Sequence, residues 1–386
     1  MSMRLFAVTQ PGLEPFTRQE LIGLGLKLPE TAAENAAGAS GGEESGGVAF
    51  EASMTDLLRA NLHLRSANRI LLRLGDFYAG TFSELRSRAG KLPWEQYIKP
   101  GQTVALRVTC HKSKLYHSGG VAERVAGGIQ DRLGKEIQVV KFDEDLNPVP
   151  QLVVVRLFLD QCEISLDTSG ALLHRRGYRL ETAKAPLRET LAAALLLASG
   201  WDGQAALLDP FCGSGTIPIE AALMAGRIAP GKKRNFAFMG WPGYDSKLWS
   251  ALLKEAVAAE RPAPAIIRAS DRDAGAVRIA QANAERAGVL ERIEFSCRAF
   301  SAVDPLPGPG WMVTNPPYGV RVSAAKDLRS LYAQLGNVLR AGFSGWELGM
   351  LCSDRVLAGQ TQLPFEEPLR LLNGGIPVGF YRARVS

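Results

Sequence analysis

Two short motifs, separated by about a hundred residues, contain the residue types needed to transfer a group onto a planar amine. The first, Asp209-Pro-Phe-Cys-Gly-Ser-Gly-Thr216, follows the apolar run Ala205–Leu208 and has the pattern of a glycine-rich turn between a strand and a helix. The second, Asn315-Pro-Pro-Tyr318, places an amide, two prolines and an aromatic ring after another apolar run. Together they predict a pocket that holds a methyl donor on one side and presents an amino group of a base on the other.

The glycine-rich motif suits a nucleoside cofactor that carries an amino-acid part. Gly213 and Gly215 allow a close approach of the backbone and dihedral angles that a side chain would block. The first amides of the following helix can bind a carboxylate, and Asp209 can accept a hydrogen bond from an ammonium group. The alternative is a plain tight turn. The cofactor contacts predicted in this motif are Asp209, Pro210, Phe211, Gly213, Gly215 and Thr216.

Two carboxylates, Asp271 and Asp273, follow the next apolar strand of the sequence. At a neighbouring strand end in a doubly wound sheet, a carboxylate can bind both ribose hydroxyls of a nucleoside. We assign Asp271 to the ribose and Asp273 to the cap of the next helix, although the two residues could exchange these roles. A cap formed by both residues, without any ligand, is the alternative.

The Asn-Pro-Pro-Tyr motif is the most specific signal for chemistry. An exocyclic amine of a base is a poor nucleophile because its lone pair is delocalised into the ring. The Asn315 side-chain oxygen and the Pro316 carbonyl can accept its two N–H groups, and the fixed φ of proline, repeated at Pro317, keeps that carbonyl aimed. Tyr318 can stack on the base, which is worth about 1–3 kcal/mol. Asn315 also borders the cofactor; the alternative for the whole motif is an ordinary proline turn.

The composition indicates a globular chain of two or three domains. The chain has 386 residues, of which 46% are hydrophobic and 22% are charged, and no apolar run reaches the roughly 18 residues that a membrane span needs. The first residues lack a signal-peptide pattern. The five cysteines are scattered without CxxC spacing or a histidine-rich partner, so we expect neither a metal site nor disulfides, and a reducing cytoplasm fits. Nothing requires more than a monomer.

Basic residues are concentrated in one part of the chain. Between Arg59 and Lys141 there are 15 Lys or Arg residues against 6 Asp or Glu, which favours contacts with the phosphates of a nucleic acid. A solvated basic face is the alternative. The segment His174–Arg179 is a second basic cluster, which could equally be a solvated linker. The predicted RNA contacts are Lys112, Lys114, Tyr116, Arg124, Arg175 and Arg176.

The distribution of strand and helix patterns divides the chain into four regions. Residues 1–60 have the pattern of a small α+β unit with a mobile loop over 31–47, and residues 61–168 that of a second unit of strands and helices. A linker follows over 169–184. Residues 185–386 alternate apolar strands with helices, which predicts an α/β domain with a parallel sheet covered on both faces. The segment Trp241–Tyr244 has the composition of a surface loop, and a helix over Ser118–Leu133 has a serine at its cap position.

The chain resembles the THUMP-domain guanine-N2 RNA methyltransferases over nearly its whole length. The resemblance rests on both motifs above and on three further segments: Lys114–Ser118 with Ala122–Arg124, Leu173–Arg179 and Ala185–Ala193. It implies a ferredoxin-like N-terminal region, a THUMP domain that binds RNA and a Rossmann-like domain that uses S-adenosylmethionine. It also implies N2-methylguanosine in ribosomal or transfer RNA as the product.

One position departs from the family pattern. Such enzymes usually have an aspartate after the third strand, near the cofactor adenine, whereas this sequence has Ala299 and Phe300 there. The adenine would then meet backbone or the ring of Phe300. Two other functions remain open: adenine-N6 methylation of DNA, since the same tetrapeptide suits any planar amine, and a non-catalytic RNA-binding factor, since the carboxylate near Ala299 is missing. The basic region favours RNA over DNA.

Overall fold

The computed structural model of the protein describes residues 2–29, 46–143, 149–179, 187–304, 308–318 and 325–386. The loop predicted over 31–47 lies outside these residues except for its last two positions, as does the linker from residue 180 onward. The chain forms two compact units, which are described separately. The first comprises Met1–Thr9, Thr17–Leu173 and Lys233–Lys254, and the second comprises Gln10–Phe16, His174–Lys232 and Glu255–Ser386.

The first unit is built on one seven-stranded sheet in the order β2-β1-β3-β7-β6-β4-β5. All its pairings are antiparallel except those of β4 with β5 and β6. Strands of the first two predicted regions thus share a single sheet. The strands are β1 (Met3–Val8), β2 (Gly47–Ala52), β3 (Arg69–Tyr78), β4 (Thr103–His111), β5 (Gln138–Val140), β6 (Gln151–Phe158) and β7 (Gln161–Asp167).

Helices cover the apolar face of this sheet. The fourth helix buries Val121, Val125 and Ile129, which recur at helical spacing and therefore lie on one side of it. The helices in or bordering this unit are α1 (Glu14–Gly23), α2 (Met54–His63), α3 (Phe82–Ala89), α4 (Ser118–Leu133) and α7 (Ser246–Ala258). The helix predicted over Ser118–Leu133 is α4, with the same bounds. None of the described helices is long and apolar enough to cross a membrane.

One local prediction in the first unit was wrong and another holds only in part. The cap of α4 is His117 rather than Ser118, because the His117 Nδ1 accepts the Gly120 N–H at 2.9 Å and Ser118 is already helical. The predicted surface loop over Trp241–Tyr244 is exposed at Pro242 and Gly243, but Trp241 itself is only 3% exposed, and its indole N–H donates to the Gln151 Oε1 at 2.9 Å. A long-range partner buries this tryptophan, which local composition does not reveal.

The second unit is an α/β sheet in the order β10-β9-β8-β11-β12-β14-β13. The first five strands are parallel, as predicted, whereas β14 pairs antiparallel with both β12 and β13. The strands are β8 (Ala206–Asp209), β9 (Ile267–Asp271), β10 (Glu294–Cys297), β11 (Gly310–Thr314), β12 (Glu347–Cys352), β13 (Leu369–Asn373) and β14 (Ile376–Arg384).

The antiparallel end of this sheet corrects the expectation of a wholly parallel one. Gly374 and Gly375 have φ angles of 59° and 83° and form the two-residue connection between β13 and β14. Such positive φ angles at both positions give a tight hairpin turn, which joins strands only in antiparallel fashion.

Helices pack on both faces of the second sheet. Leu207 and Leu208 are adjacent on β8 yet belong to two different hydrophobic clusters, since neighbouring side chains of a strand point to opposite faces. The first cluster includes residues of α5, α6 and α8, and the second includes residues of α9 and α10. These helices are α5 (Glu189–Ala198), α6 (Thr216–Ala225), α8 (Ala274–Ala287), α9 (Ala325–Gly342) and α10 (Arg355–Gly359).

Candidate active site

The two motifs meet at the carboxyl ends of two neighbouring parallel strands. Strand β8 ends at Asp209 and β11 ends at Thr314, one residue before Asn315. The Thr314 hydroxyl donates a hydrogen bond of 2.7 Å to the Asp209 Oδ1, and both side chains are buried. The chain runs from β8 outward to β9 and β10 and then returns to β11 on the other side of β8. This reversal of strand order is the place where open α/β sheets bind ligands.

The glycine-rich loop is held in shape by hydrogen bonds to its neighbours. The Gly213 N–H donates to the Asp271 Oδ2 at 3.0 Å, and the Cys212 N–H donates to the Ser270 carbonyl at 3.0 Å. On the helical side, the buried Asn283 of α8 donates its amide to the Ser214 carbonyl at 3.0 Å. The loop is therefore fixed by β9 and α8 before any ligand binds.

The two glycines of this loop have different roles. Both have positive φ angles, 52° at Gly213 and 83° at Gly215. A Cβ atom on Gly215 would lie 2.9 Å from the Cβ of Ala280 in α8, whereas a Cβ on Gly213 would meet no described atom within 4 Å. Gly215 thus permits helix packing, and Gly213 presents bare backbone to open space where a ligand can approach.

This difference predicts opposite outcomes for two matched alanine variants. Gly215→Ala is expected to destabilise the fold by about 2–5 kcal/mol, because it overpacks the contact with Ala280 and also places an alanine at a φ angle of 83°. Gly213→Ala is expected to cost only about 1 kcal/mol of stability for its φ angle but to weaken cofactor binding. Denaturant unfolding and titration calorimetry with S-adenosylhomocysteine measure the two effects. A Gly213→Ala variant that binds as tightly as the unmodified protein would contradict the role given to this glycine.

Asp209 is a buried carboxyl group at the centre of the site. Asp209 is only 1% exposed. Burial raises the pKa of its carboxyl group to about 7, and the negative charge of the nearby Asp271 adds a smaller rise. Hydrogen bonds from the Thr314 hydroxyl and the Phe211 N–H oppose this rise. Because the native state holds the proton more tightly than the unfolded chain, the contribution of Asp209 to stability falls as the pH rises from about 4 through 7.

The aspartate that ends β9 and the one two residues later have separate roles. Asp273 caps α8, since its Oδ1 accepts the Gly275 and Ala276 N–H groups, and this predicted cap is confirmed. Asp271 instead accepts from the Gly213 N–H on one oxygen and from the Asp273 N–H on the other. Asp271 is half-buried, beside the open side of Gly213, so its contact with a ribose stays a prediction.

Asn315 carries an unsatisfied hydrogen-bond acceptor. Its Oδ1 is buried, and within the described part of the chain no donor reaches it. A buried carbonyl oxygen without a partner costs about 1–3 kcal/mol, so this atom fits a position that a ligand N–H fills. The adjacent Pro316 is buried and Pro317 is exposed.

Two residues that the sequence patterns missed support the tetrapeptide. Tyr332 of α9 is fully buried and donates its hydroxyl to the Pro317 carbonyl at 3.4 Å, and burial raises the pKa of this phenol, which keeps it protonated. Asn373, at the end of β13, donates its amide to the Tyr318 hydroxyl at 2.7 Å. Neither belongs to a recognisable motif, because each reaches the site only through the tertiary fold.

The ring of Phe300 lies in the hydrophobic core rather than in the open site. Phe300 is nearly fully buried, and its ring centroid lies 5.8 Å from that of the half-buried Phe211. Phe300 therefore supports Phe211, whose ring is the more accessible of the two. The contact of Phe300 with a cofactor adenine stays a prediction, as does that of the more exposed Phe211.

The predicted RNA contacts differ in their exposure. Lys112, Lys114, Tyr116 and Arg124 of the first unit are exposed, as is Arg175 of the second. Tyr116 is the most exposed of the large hydrophobic side chains in the described residues. These five positions are accessible to a polyanion.

Arg176 is a correction to the predicted RNA contacts. Its side chain is 2% exposed and lies 3.6 Å from the Glu220 Oε1 in α6, which also accepts a hydrogen bond of 3.1 Å from the buried Tyr178 hydroxyl. The arginine therefore neutralises a buried carboxylate and is not available to a phosphate. Its neighbour Arg175 has the opposite environment, which a basic run in the sequence does not distinguish.

Comparison with known proteins agrees with this arrangement. Three family models match in succession: the RlmL ferredoxin-like domain at residues 4–71, the THUMP domain at residues 79–167 and the RMKL-like methyltransferase domain at residues 176–364. A Synechocystis sp. protein whose name gives it as an RNA methyltransferase is 34% identical over 96% of this chain and 94% of its own length. The chain belongs to the THUMP-domain RNA methyltransferases.

Other members of this family extend the comparison. The ribosomal RNA large subunit methyltransferase K/L of Syntrophotalea carbinolica is 36% identical over 97% of the chain. The chain spans about half the length of this relative, 52%. Among solved structures, SMU.472, described as a methyltransferase and solved in complex with SAH, matches with a TM-score of 0.85 and 28% identity, over 100% of this chain and 98% of that one. The predicted order of ferredoxin-like, THUMP and Rossmann-like methyltransferase regions is confirmed.

Proposed function

We propose that this chain is an S-adenosylmethionine-dependent methyltransferase that converts a guanine of RNA to N2-methylguanosine. One observation carries the proposal: the unsatisfied, buried Asn315 Oδ1 lies one residue after Thr314, which is hydrogen-bonded to Asp209 of the glycine-rich loop. An acceptor for an amine and a loop suited to a nucleoside cofactor are thereby brought to adjacent strand ends.

The residues of the loop fit S-adenosylmethionine, which when bound supplies an electrophilic methyl group. The open backbone at Gly213 and the first amides of α6 would hold the carboxylate of its amino-acid part. Asp209 would accept from the ammonium group, and Asp271 would accept from the ribose hydroxyls. Phe211 would lie against the adenine. Comparison supports this cofactor, since the structural neighbour SMU.472 was solved with SAH.

The tetrapeptide would orient the amine of the target base. The Asn315 Oδ1 and the Pro316 carbonyl would accept the two N–H groups, which turns the nitrogen lone pair toward the methyl group. Tyr318, held by Asn373, would stack on the base. Positioning of this kind can supply roughly 7–11 kcal/mol of the barrier. The attacking nitrogen becomes acidic once methylated, so its proton can leave to solvent without a strong base in the site.

RNA is the favoured substrate for two reasons. The THUMP match covers the region where basic residues are concentrated, and the relatives are named as RNA or ribosomal RNA methyltransferases. We therefore propose ribosomal or transfer RNA as the substrate, and the cytoplasm, where bacterial relatives would meet ribosomal RNA, as the compartment. A base within a helix must be extruded before it can enter such a pocket. We propose a monomer as the acting form.

The raised pKa of Asp209 predicts that cofactor binding releases a proton. At pH 6 the carboxyl group, with a pKa of about 7, is mostly protonated. An ammonium group placed beside it would lower that pKa, so binding should release up to about one proton at pH 6 and tighten as the pH rises toward 7. Calorimetry in buffers of different ionisation enthalpy measures the release. Asp209→Asn should remove it; equal heats in all buffers for the unmodified protein would contradict the ammonium contact.

The experiment that tests the proposed function is methyl transfer from labelled S-adenosylmethionine. Total RNA from a strain that lacks this protein and the same mass of unmethylated DNA serve as parallel substrates. The expected result is label in RNA only, recovered as N2-methylguanosine after digestion and mass spectrometry. N6-methyladenine in the DNA would establish the alternative activity. RNA binding without cofactor binding or transfer would establish a non-catalytic factor.

A further inference from the structure

A row of four side chains crosses the open face of the first sheet at one level. The strand registers pair His111 with Phe158, Phe158 with Gln161 and Gln161 with Tyr78, across β4, β6, β7 and β3. Side chains of directly paired residues lie on the same face of a sheet. These four residues, here called the aromatic row, therefore stand side by side on one surface.

The aromatic row is exposed. Phe158 is 53% exposed and Tyr78 is 46% exposed, whereas the adjacent Leu157 and Cys162 point to the opposite face and are buried. The rings of His111 and Phe158 are parallel within 3°, with centroids 5.7 Å apart, so the two rings stack on each other. A stacked pair of rings, with the exposed Tyr78 further along the row, is therefore open to solvent.

The border of the aromatic row is fixed by hydrogen bonds. The Lys114 N–H donates to the Asp160 Oδ1 at 2.6 Å, and the Asp160 N–H donates to the Ser113 hydroxyl at 3.1 Å. The Lys114 ammonium donates to the Tyr78 hydroxyl at 3.3 Å. The loop after β4 and the turn between β6 and β7 are in this way joined to one end of the row.

The same border contains a tight hairpin turn. Leu159 and Asp160 have φ angles of 52° and 64° and form the two-residue connection between β6 and β7. Positive φ angles at both positions are the geometry of such a turn. Lys112, which follows the last residue of β4, also has a positive φ angle of 49°.

The charges around the aromatic row favour a polyanion. Two of the three acidic groups near the row lie beside a cation: Glu163 is 3.3 Å from the guanidinium of Arg73, and Asp160 is 3.9 Å from the ammonium of Lys114. The third, Asp76, accepts a hydrogen bond from the neutral Gln161 and keeps its charge. Lys112 and Arg156 are exposed, and within the described residues neither forms an ion pair, although Arg156 lies opposite Glu163 in the strand register. Exposed lysine and arginine side chains near aromatic rings suit an unpaired nucleic-acid strand. The cations can contact its phosphates, and the rings can stack on its nucleobases.

We propose that the aromatic row is a stacking platform for a single-stranded segment of the RNA substrate. The inference rests on the proposed function for the nature of the polymer, but the platform belongs to the first unit and contains no residue of the candidate active site. Bases would stack on Phe158 and Tyr78, with phosphates beside Lys112 and Arg156. Stacking tolerates any base, so the platform would recognise an unpaired strand rather than a sequence.

Phe158 is the position at which this proposal is tested. The full chain is titrated with a fluorescent single-stranded oligoribonucleotide of mixed sequence and with the same sequence as a duplex. Phe158→Ala and Phe158→Leu are expected to weaken single-strand binding roughly 5- to 150-fold, the equivalent of about 1–3 kcal/mol for one stacked base. Phe158→Tyr should bind normally. Val139→Ala, at a residue of similar exposure on β5, is the matched control and should have no effect.

The outcomes separate this proposal from the proposed function. If Phe158→Ala binds the single strand as the unmodified protein does, the platform is refuted even where methyl transfer to RNA proceeds. If Phe158→Leu retains full binding of the single strand, an aromatic ring is not required at this position and the stacking proposal fails. In methyl transfer, Phe158→Ala should raise KM for RNA and leave kcat unchanged. Methyl transfer to DNA alone would refute the proposed function. If the unmodified protein does not bind the single-stranded RNA, the platform is refuted.

Discussion

Asn315→Ala is expected to lower the rate of methyl transfer by at least roughly 100-fold while S-adenosylhomocysteine binds nearly as before. The reason is that the Asn315 Oδ1 is the buried acceptor without a donor, which the amine of the target base would fill only when substrate is present. Removal of a single group that is preorganised for the reacting atoms typically costs 10²–10³ in rate. Single-turnover kinetics with labelled cofactor measures the rate, and calorimetry measures the binding.

A matched control for this variant is Asn373→Ala. Asn373 is also an asparagine near the site, but its amide already donates to the Tyr318 hydroxyl at 2.7 Å. Its loss should change the rate by less than about tenfold, the equivalent of one ordinary hydrogen bond. Two results would contradict the role of Asn315: a rate that is unchanged in Asn315→Ala, or a loss of cofactor binding with unchanged residual turnover.

Arg176→Ala is expected to destabilise the protein by about 3–5 kcal/mol. This substitution leaves the Glu220 carboxylate buried without its cation, and an uncompensated buried charge has a cost of that size. Chemical denaturation that follows the tryptophan fluorescence measures the change. The double variant Arg176→Met with Glu220→Leu removes both charges and should recover most of the lost stability.

Arg175→Ala is the control for Arg176, because the two arginines are neighbours in sequence. Arg175 is exposed, so its replacement should alter stability by no more than about 0.5 kcal/mol. Its effect should instead appear in RNA affinity and in the dependence of that affinity on salt. The contrary result would be an Arg176→Ala variant that is as stable as the unmodified protein but binds RNA more weakly. That result would show that Arg176 contacts a phosphate.

The parts of the site that could be predicted from the sequence are those fixed by local chemistry. Glycines with positive φ, prolines without N–H groups and a carboxylate at a helix start impose the same geometry in almost any context. For this reason the glycine-rich loop, the Asp273 cap and the bounds of α4 follow from short patterns. The parallel part of the second sheet then follows from the alternation of strands and helices.

The features that could not be predicted depend on contacts between distant residues. Arg175 and Arg176 are identical in sequence terms, and only the position of Glu220 on α6 makes one of them a core residue. Trp241 is buried because Gln151, 90 positions away, accepts its indole N–H. The aromatic row likewise exists only through strand pairing, which a single sequence does not specify.

The geometry of the bound site tests the account most directly. A crystal structure of the chain with S-adenosylhomocysteine is expected to show the amino-acid part at Gly213 and the start of α6, the ribose at Asp271 and the sulfur facing the Asn315 amide oxygen. A ligand bound elsewhere, or an Asn315 amide turned away from that sulfur, would contradict the claim that the two motifs form one reaction site.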